Sequence, residues 1–193
     1  MATYENWTFS AGWLDAARRV NSPNYNPRPK GSHPELIVVH GISLPPRCYG
    51  GTEIEAFFCN RLNANDHPYF AEISDLKVSA HFLIRRCGEL VQFVDTDCRA
   101  WHAGVSQWRG RDNCNDFSIG IELEGCDDEP YSDSQYAVLN ALIFALQNRY
   151  PKIGRDAIVG HCDIAPGRKS DPGPAFDWSR ITDLSASRHG NTE

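Results

Sequence analysis

Apolar residues along the chain fall into short runs and one long periodic stretch, separated by connectors rich in Pro, Gly and Asn. Leu36 to His40 (LIVVH) and Ala157 to His161 (AIVGH) are brief β-branched runs, the pattern of buried strands. Val78 to Ile84 (VSAHFLI) and Leu90 to Val94 (LVQFV) predict two strands, and Gly88 between them suits a tight hairpin turn. Ser118 to Glu124 (SIGIELE) alternates at its end, with Ile121 and Leu123 on one face and Glu122 and Glu124 on the other. Acids in such a strand ordinarily face solvent. The clearest helix begins at Ser132, which forms a capping box with Gln135. Tyr136, Leu139, Ile143 and Leu146 then follow helical spacing until Pro151 stops the helix. Trp13 to Val20 (WLDAARRV) predicts a short helix, and the NSPNYNPRP that follows predicts no regular structure. Residues 41–75 predict mostly loop, with one helix near Thr52 to Phe58, and a loop of that kind could close over a cleft. The tail beyond Leu184 reads as frayed.

The alternation of helical and β-branched segments predicts an α/β fold, and 193 residues suit a single domain with its core at about 30–184. A formal charge of −6 argues against nucleic acid or an anionic membrane as partner. No obligate protein partner is implied either. The first fifteen residues carry no basic and apolar regions of a signal peptide, and no apolar stretch nears the roughly 20 residues of a membrane helix. Seven cysteines, with no C-x-x-C pair, suit free thiols in a reducing compartment. These features together predict a cytoplasmic protein.

Two histidines share a placement. His40 closes LIVVH and His161 closes AIVGH, so each stands where a buried strand reaches the sheet edge, the region where α/β proteins build sites. Either alone reads as a structural histidine. The loop after His161, APGRKSDPGP, adds Lys169 and Asp171 in a stretch too rich in Pro and Gly for helix or strand. Two neutral imidazoles and a carboxylate are a ligand set of catalytic zinc sites, which lower the pKa of a bound water towards about 7. A nearby lysine would stabilise an oxyanion, and Glu122 or Glu124 could carry a proton.

Several blocks then resemble a known family. GWLDAARRVNSPNYNPRP, VVHGISLPP, HPYF, VSAHFLIRRCGE, RAWHAGVSQWRGRDNCNDFSIGIELEG and GHCDIAPGRKSDPGPAFDW are similar to the AmpD-type 1,6-anhydro-N-acetylmuramyl-L-alanine amidases. These belong with the zinc amidases that include phage enzymes and peptidoglycan-recognition proteins. The resemblance implies a mixed central β-sheet flanked by helices, with one zinc ion held by His40, His161 and Asp171. It also implies Glu122 as the catalytic glutamate, Lys169 as the residue supporting the transition state, and a soluble anhydromuropeptide as substrate in cell-wall recycling. The chain departs from the pattern at Ala80, where some relatives carry tyrosine, and at Gly41, where this subfamily commonly has asparagine.

Other candidates are weaker. His81 reads as a core group, or as one that orients a ligand. Trp101 and His102 could line a sugar-binding groove or simply pack. Lys77, Arg109 and Arg111 could hold stem-peptide carboxylates. Cys162 reads as a buried thiol facing away from the metal, and Asp163 as a residue that fits no ligand position. The alternatives to a cytoplasmic amidase are a non-catalytic binding protein on the same fold, or an exported amidase acting on intact wall.

Overall fold

The computed structural model describes residues 7–181, so the reading of the tail beyond Leu184 lies outside the described residues. The chain opens with four short strands, β1 (Phe9–Ser10), β2 (Trp13–Leu14), β3 (Arg18–Arg19) and β4 (Tyr25–Pro27). The long strand β5 (Leu36–Ile42) follows, then helices α1 (Glu53–Phe58) and α2 (Pro68–Ile73). Strands β6 (Phe82–Ile84), β7 (Leu90–Gln92), β8 (Cys98–Ala100), β9 (Gln107–Trp108) and β10 (Arg111–Asp112) lead to the second long strand, β11 (Ser118–Glu124). Helix α3 (Asp133–Arg149), strand β12 (Ile158–Gly160) and the single-turn α4 (His161–Ile164) complete the order.

Six strands form one mixed sheet in the order β12-β5-β11-β6-β7-β3. All neighbours are parallel except the β6–β7 hairpin, whose turn places Gly88 at φ +87°, a left-handed conformation that glycine adopts without cost. Helix α3 starts as expected: the Ser132 hydroxyl accepts from the Gln135 amide, and the Gln135 side chain accepts from the Ser132 amide. Its aliphatic residues Leu139, Leu142 and Leu146 pack with Ile37, Val39, Ile119, Ile121 and Leu123 on one face of the sheet. Helices α1 and α2 belong to a second cluster, in which Ile54, Phe57, Phe58 and Phe70 meet Leu83, Val91 and Phe93.

Three expectations need correction. Residues 13–20 form no helix. Eight residues make a marginal helix, and the edge of β7 offers better partners: Leu14 N–H donates to Gln92 Oε1 at 2.8 Å, and Val20 N–H to the Gln92 carbonyl at 2.9 Å. The proline-rich connector is not wholly irregular, because Tyr25–Pro27 pairs antiparallel with β8. Within residues 41–75 a second helix, α2, escapes a periodicity reading because it spans only 6 residues. Its start is nonetheless written in HPYF: His67 Nδ1 accepts from the Tyr69 amide at 3.1 Å, and Pro68 occupies the first turn.

Candidate active site

The register between β5 and β11 builds the site. His40 pairs with Glu122 across parallel strands, so both side chains leave the sheet together on the face away from α3. His161 opens α4 directly after β12, the strand on the other side of β5, so the second histidine is a helix residue rather than a strand end. Two hydrogen bonds fix that corner. Gly160 N–H donates to Asp163 Oδ2 at 2.7 Å, which commits Asp163 to capping, and Cys162 N–H donates to the Asp171 carbonyl at 3.0 Å. Cys162 is half-buried and contributes its backbone rather than its thiol.

Three atoms converge: His40 Nδ1 and His161 Nδ1 are 3.0 Å apart, and each is 3.1 Å from Asp171 Oδ2. The far side of His161 meets two groups. Its Nε2 lies 3.2 Å from the Ala103 carbonyl, which can only accept, and 3.4 Å from Arg168 Nη2, which can only donate, so the outer contacts of this ring accommodate either tautomer. Burial pushes the His40 imidazole down to about 4, with Asp171 opposing, so this ring is neutral at neutral pH. Burial alone would raise the Asp171 carboxyl, but hydrogen bonding and positive charge from the His161 and His40 side outweigh it and hold the group well below the usual carboxylate range, so the triangle wants a proton or a cation at its centre. Nitrogen and oxygen donor atoms crowded at this separation suit a shared cation. Edges of about 3.3 Å follow from a tetrahedron with metal–nitrogen and metal–oxygen bonds of about 2.0 Å.

Glu122 stands beside this triangle, buried, and its Oε2 has no hydrogen-bond partner within the protein. Burial, reinforced by the Asp171 charge and opposed by Lys169, lifts its carboxyl well above the ordinary glutamate range. Glu124, two residues on, does a different job. Its carboxylate accepts from Gly50 N–H at 2.7 Å and Arg86 N–H at 3.1 Å and lies 3.3 Å from Arg85 Nη1. Neither acid faces solvent.

The triangle opens into a cavity of about 380 Å³. One wall carries His40, His102, Glu122, Asp127, His161, Lys169 and Asp171; the other is apolar, with Leu44, Phe57, Phe58, Tyr69, Ile73 and Trp101. Both Lys169 and Trp101 therefore reach the site, Trp101 held by a hydrogen bond from Nε1 to Asn26 Oδ1 at 2.6 Å. His102 also borders it but is buried behind His40, with Nδ1 2.9 Å from His40 Nε2. His81 is a core residue: Gly120 N–H donates to its Nδ1, and its Nε2 faces the Cys98 carbonyl.

The structure does not bring Lys77, Arg109 or Arg111 into the cavity lining. Lys77 is exposed beside it, between Leu76 and Val78, which do line it. Arg109 pairs with Asp156 at 2.6 Å, and Arg111 pairs with Glu35 at 2.6 Å while lying over the Phe117 ring. Charge and loop position alone suggested these arginines, and other acids had already taken them. Conversely, the apolar wall from α1 and α2 was not visible as a site feature. Tyr131 was missed too: it fills the side-chain space that Gly41 leaves free and donates to the Pro172 carbonyl at 3.0 Å, next to Asp171.

A buried acid, two imidazoles, a carboxylate and a lysine around one cleft are the equipment of a hydrolase. Comparison with known proteins narrows this. The N-acetylmuramoyl-L-alanine amidase family profile matches residues 30–174. The 1,6-anhydro-N-acetylmuramyl-L-alanine amidase AmpD of Escherichia coli (strain K12) is 60% identical over 170 residues, covering 88% of this chain and 92% of that protein. A crystal structure of a selenomethionine derivative of AmpD superposes with a TM-score of 0.88 at 57% identity, covering 90% of this chain and 97% of that one. The amidase AmiD from E. coli, in complex with its substrate anhydro-N-acetylmuramic acid-L-Ala-D-γ-Glu-L-Lys, matches at TM-score 0.56 and 28% identity, covering 91% of this chain and 64% of that one. The chain belongs to the N-acetylmuramoyl-L-alanine amidase family.

Proposed function

We propose that this protein hydrolyses the amide between the lactyl group of 1,6-anhydro-N-acetylmuramic acid and L-alanine of the stem peptide, using one zinc ion held by His40, His161 and Asp171. The observation that carries the reading is the triangle of His40, His161 and Asp171 donor atoms with the unpartnered Glu122 oxygen beside it. Both histidines, the acid, the lysine and the glutamate stand together at one cleft, which favours an enzyme over a binding protein on the same fold. When bound, zinc supplies a Lewis acid and lowers the pKa of water towards about 7.

The residues divide the remaining work. Glu122 takes the proton of the attacking water and delivers it to the departing amine; burial raises its affinity for protons well above that of an ordinary glutamate, as a group that must both accept and release one requires. Lys169, at the cavity wall, offers positive charge to the oxyanion that develops on the lactyl carbonyl. Trp101 and the apolar wall take the sugar ring, and the exposed mouth takes the peptide. The names of the close relatives support the anhydro sugar as the recognised end and recycling as the role. One zinc amidase domain accounts for the whole family match.

The substrate is a soluble muropeptide and the compartment is the cytoplasm. Seven free cysteines suit that compartment, and among the described residues no helix is long and apolar enough to cross a membrane. Hydrolysis of a defined anhydromuropeptide, followed by mass spectrometry, tests the reading. Stem-peptide release should vanish on chelation and return with zinc. A zinc-loaded protein that leaves the substrate intact would overturn it.

A further inference from the structure

Behind His40 runs a chain of hydrogen bonds whose donors follow from its shortest contact. His102 Nδ1 lies 2.9 Å from His40 Nε2, and His102 Nε2 lies 3.1 Å from Ser118 Oγ. The Ser118 hydroxyl has one proton, which it donates to the Cys114 carbonyl at 2.6 Å. A carbonyl can only accept. Ser118 Oγ therefore accepts from His102, and the His102 proton sits on Nε2. Its Nδ1 is then an acceptor and takes the proton of His40 Nε2. This leaves the His40 lone pair on Nδ1, the atom that faces His161 and Asp171; in the metal-free protein a proton on His161 Nδ1 serves both that lone pair and the Asp171 carboxylate.

We propose that Ser118 is a positioning residue which, through His102, sets the tautomer of His40 and so makes Nδ1 its ligating atom. Outer partners of metal-bound histidines act in this way generally, fixing ring orientation and tautomer. The strand is shaped for it. Ser118, Gly120 and Glu122 share one face of β11, and a Cβ at Gly120 would run into the His102 ring. Glycine there lets the ring lie across the strand and reach Ser118 and His40 together. Ser118, His102 and His40 are all buried, so bulk water does not compete for these bonds. Without the hydroxyl, His102 can carry its proton on Nδ1 instead. It would then donate to His40 Nε2 and drive the His40 proton onto Nδ1, where it blocks ligation.

The consequence for metal binding rests on the zinc reading above, whereas the tautomer assignment does not. Nitrogen-15 NMR of histidine-labelled, metal-free protein distinguishes protonated from unprotonated ring nitrogens. We expect protons on Nε2 of both His40 and His102 in the wild type, and a mixture of tautomers in S118A. Chelator competition should show zinc affinity falling about 10–100-fold in S118A, and G120A should weaken it by displacing the same ring. A wild-type His102 protonated on Nδ1 overturns the proposal, as does an S118A protein that binds zinc as tightly as the wild type. Should S118A fail to fold, the wild-type spectra still decide. A wild-type protein with the expected tautomers but no zinc affinity would sink the zinc reading and leave the relay standing.

Discussion

The two faces of β11 are equally buried and built on opposite chemistry. Towards α3, Ile119, Ile121 and Leu123 join a cluster of aliphatic and aromatic side chains, and their contribution is packing. Towards the cavity stand Ser118, Gly120, Glu122 and Glu124, polar groups or none, in a place where an unpaired polar atom is costly. Ser118 meets that requirement through Cys114, and Glu124 through Gly50, Arg85 and Arg86. Glu122 does not: one of its oxygens stays unpartnered. Where neighbours on the same face are satisfied, the one residue left wanting a partner is the one that lines the cavity beside the His40–His161–Asp171 triangle.

That contrast can be broken most sharply at Glu122. Replacing it with glutamine keeps the shape and removes the proton carrier, so kcat/KM should fall by about 10²–10⁴-fold. The urea midpoint should stay level or rise, since a buried carboxyl is costly. A variant with near-normal turnover would remove Glu122 from the chemistry. Leu123→Ala, one residue along on the other face, should behave in the opposite way. It should cost about 2–5 kcal/mol of stability by opening a cavity, while turnover per folded molecule, measured at low temperature, stays unchanged.

A smaller effect comes from pH. His81 is held neutral well below the usual histidine range, first by burial and then by the nearby Arg28, with the Cys98 carbonyl opposing and His102 the other titratable ring against it. In the unfolded chain the same group protonates near about 6.5. The unfolded state therefore binds more protons as pH falls below that value. The contribution of His81 is fully present above about 6.5 and is lost progressively below it. Urea titrations at pH 7.5 and 5.5 should show lower stability at the acid end, and a neutral replacement at position 81 should flatten the difference. An unchanged slope would mean that other groups set it. Smallest of all, R109A and R111A should change stability by about 0.5 kcal/mol or less and leave KM unaltered, because their exposed ion pairs lie outside the cavity. A raised KM in either would return that residue to the substrate site.

Much of this contrast was legible in the sequence. Alternation in SIGIELE placed Glu122 and Glu124 together, opposite Ile121 and Leu123, and the two runs ending in histidine pointed to one sheet edge. Alternation could not say that the polar face was buried, because burial is set by α1, α2 and the loops folded over it. The helix expected over residues 13–20 failed for the same reason: its backbone satisfies a sheet edge distant in sequence. Helix α2 had capping signals but too few residues for a period. His102 and Ser118 were the least legible, since their roles depend on where each ring nitrogen points.

The central claim is that His40, His161 and Asp171 form one zinc site on which Glu122 acts without being a ligand. Competition with a chromophoric chelator, run on the wild type, E122Q and D171A, tests it most directly. One equivalent of zinc should bind to the wild type and to E122Q with similar affinity, and binding should collapse in D171A. Equal binding by all three proteins, or a wild type that binds none, would contradict the account.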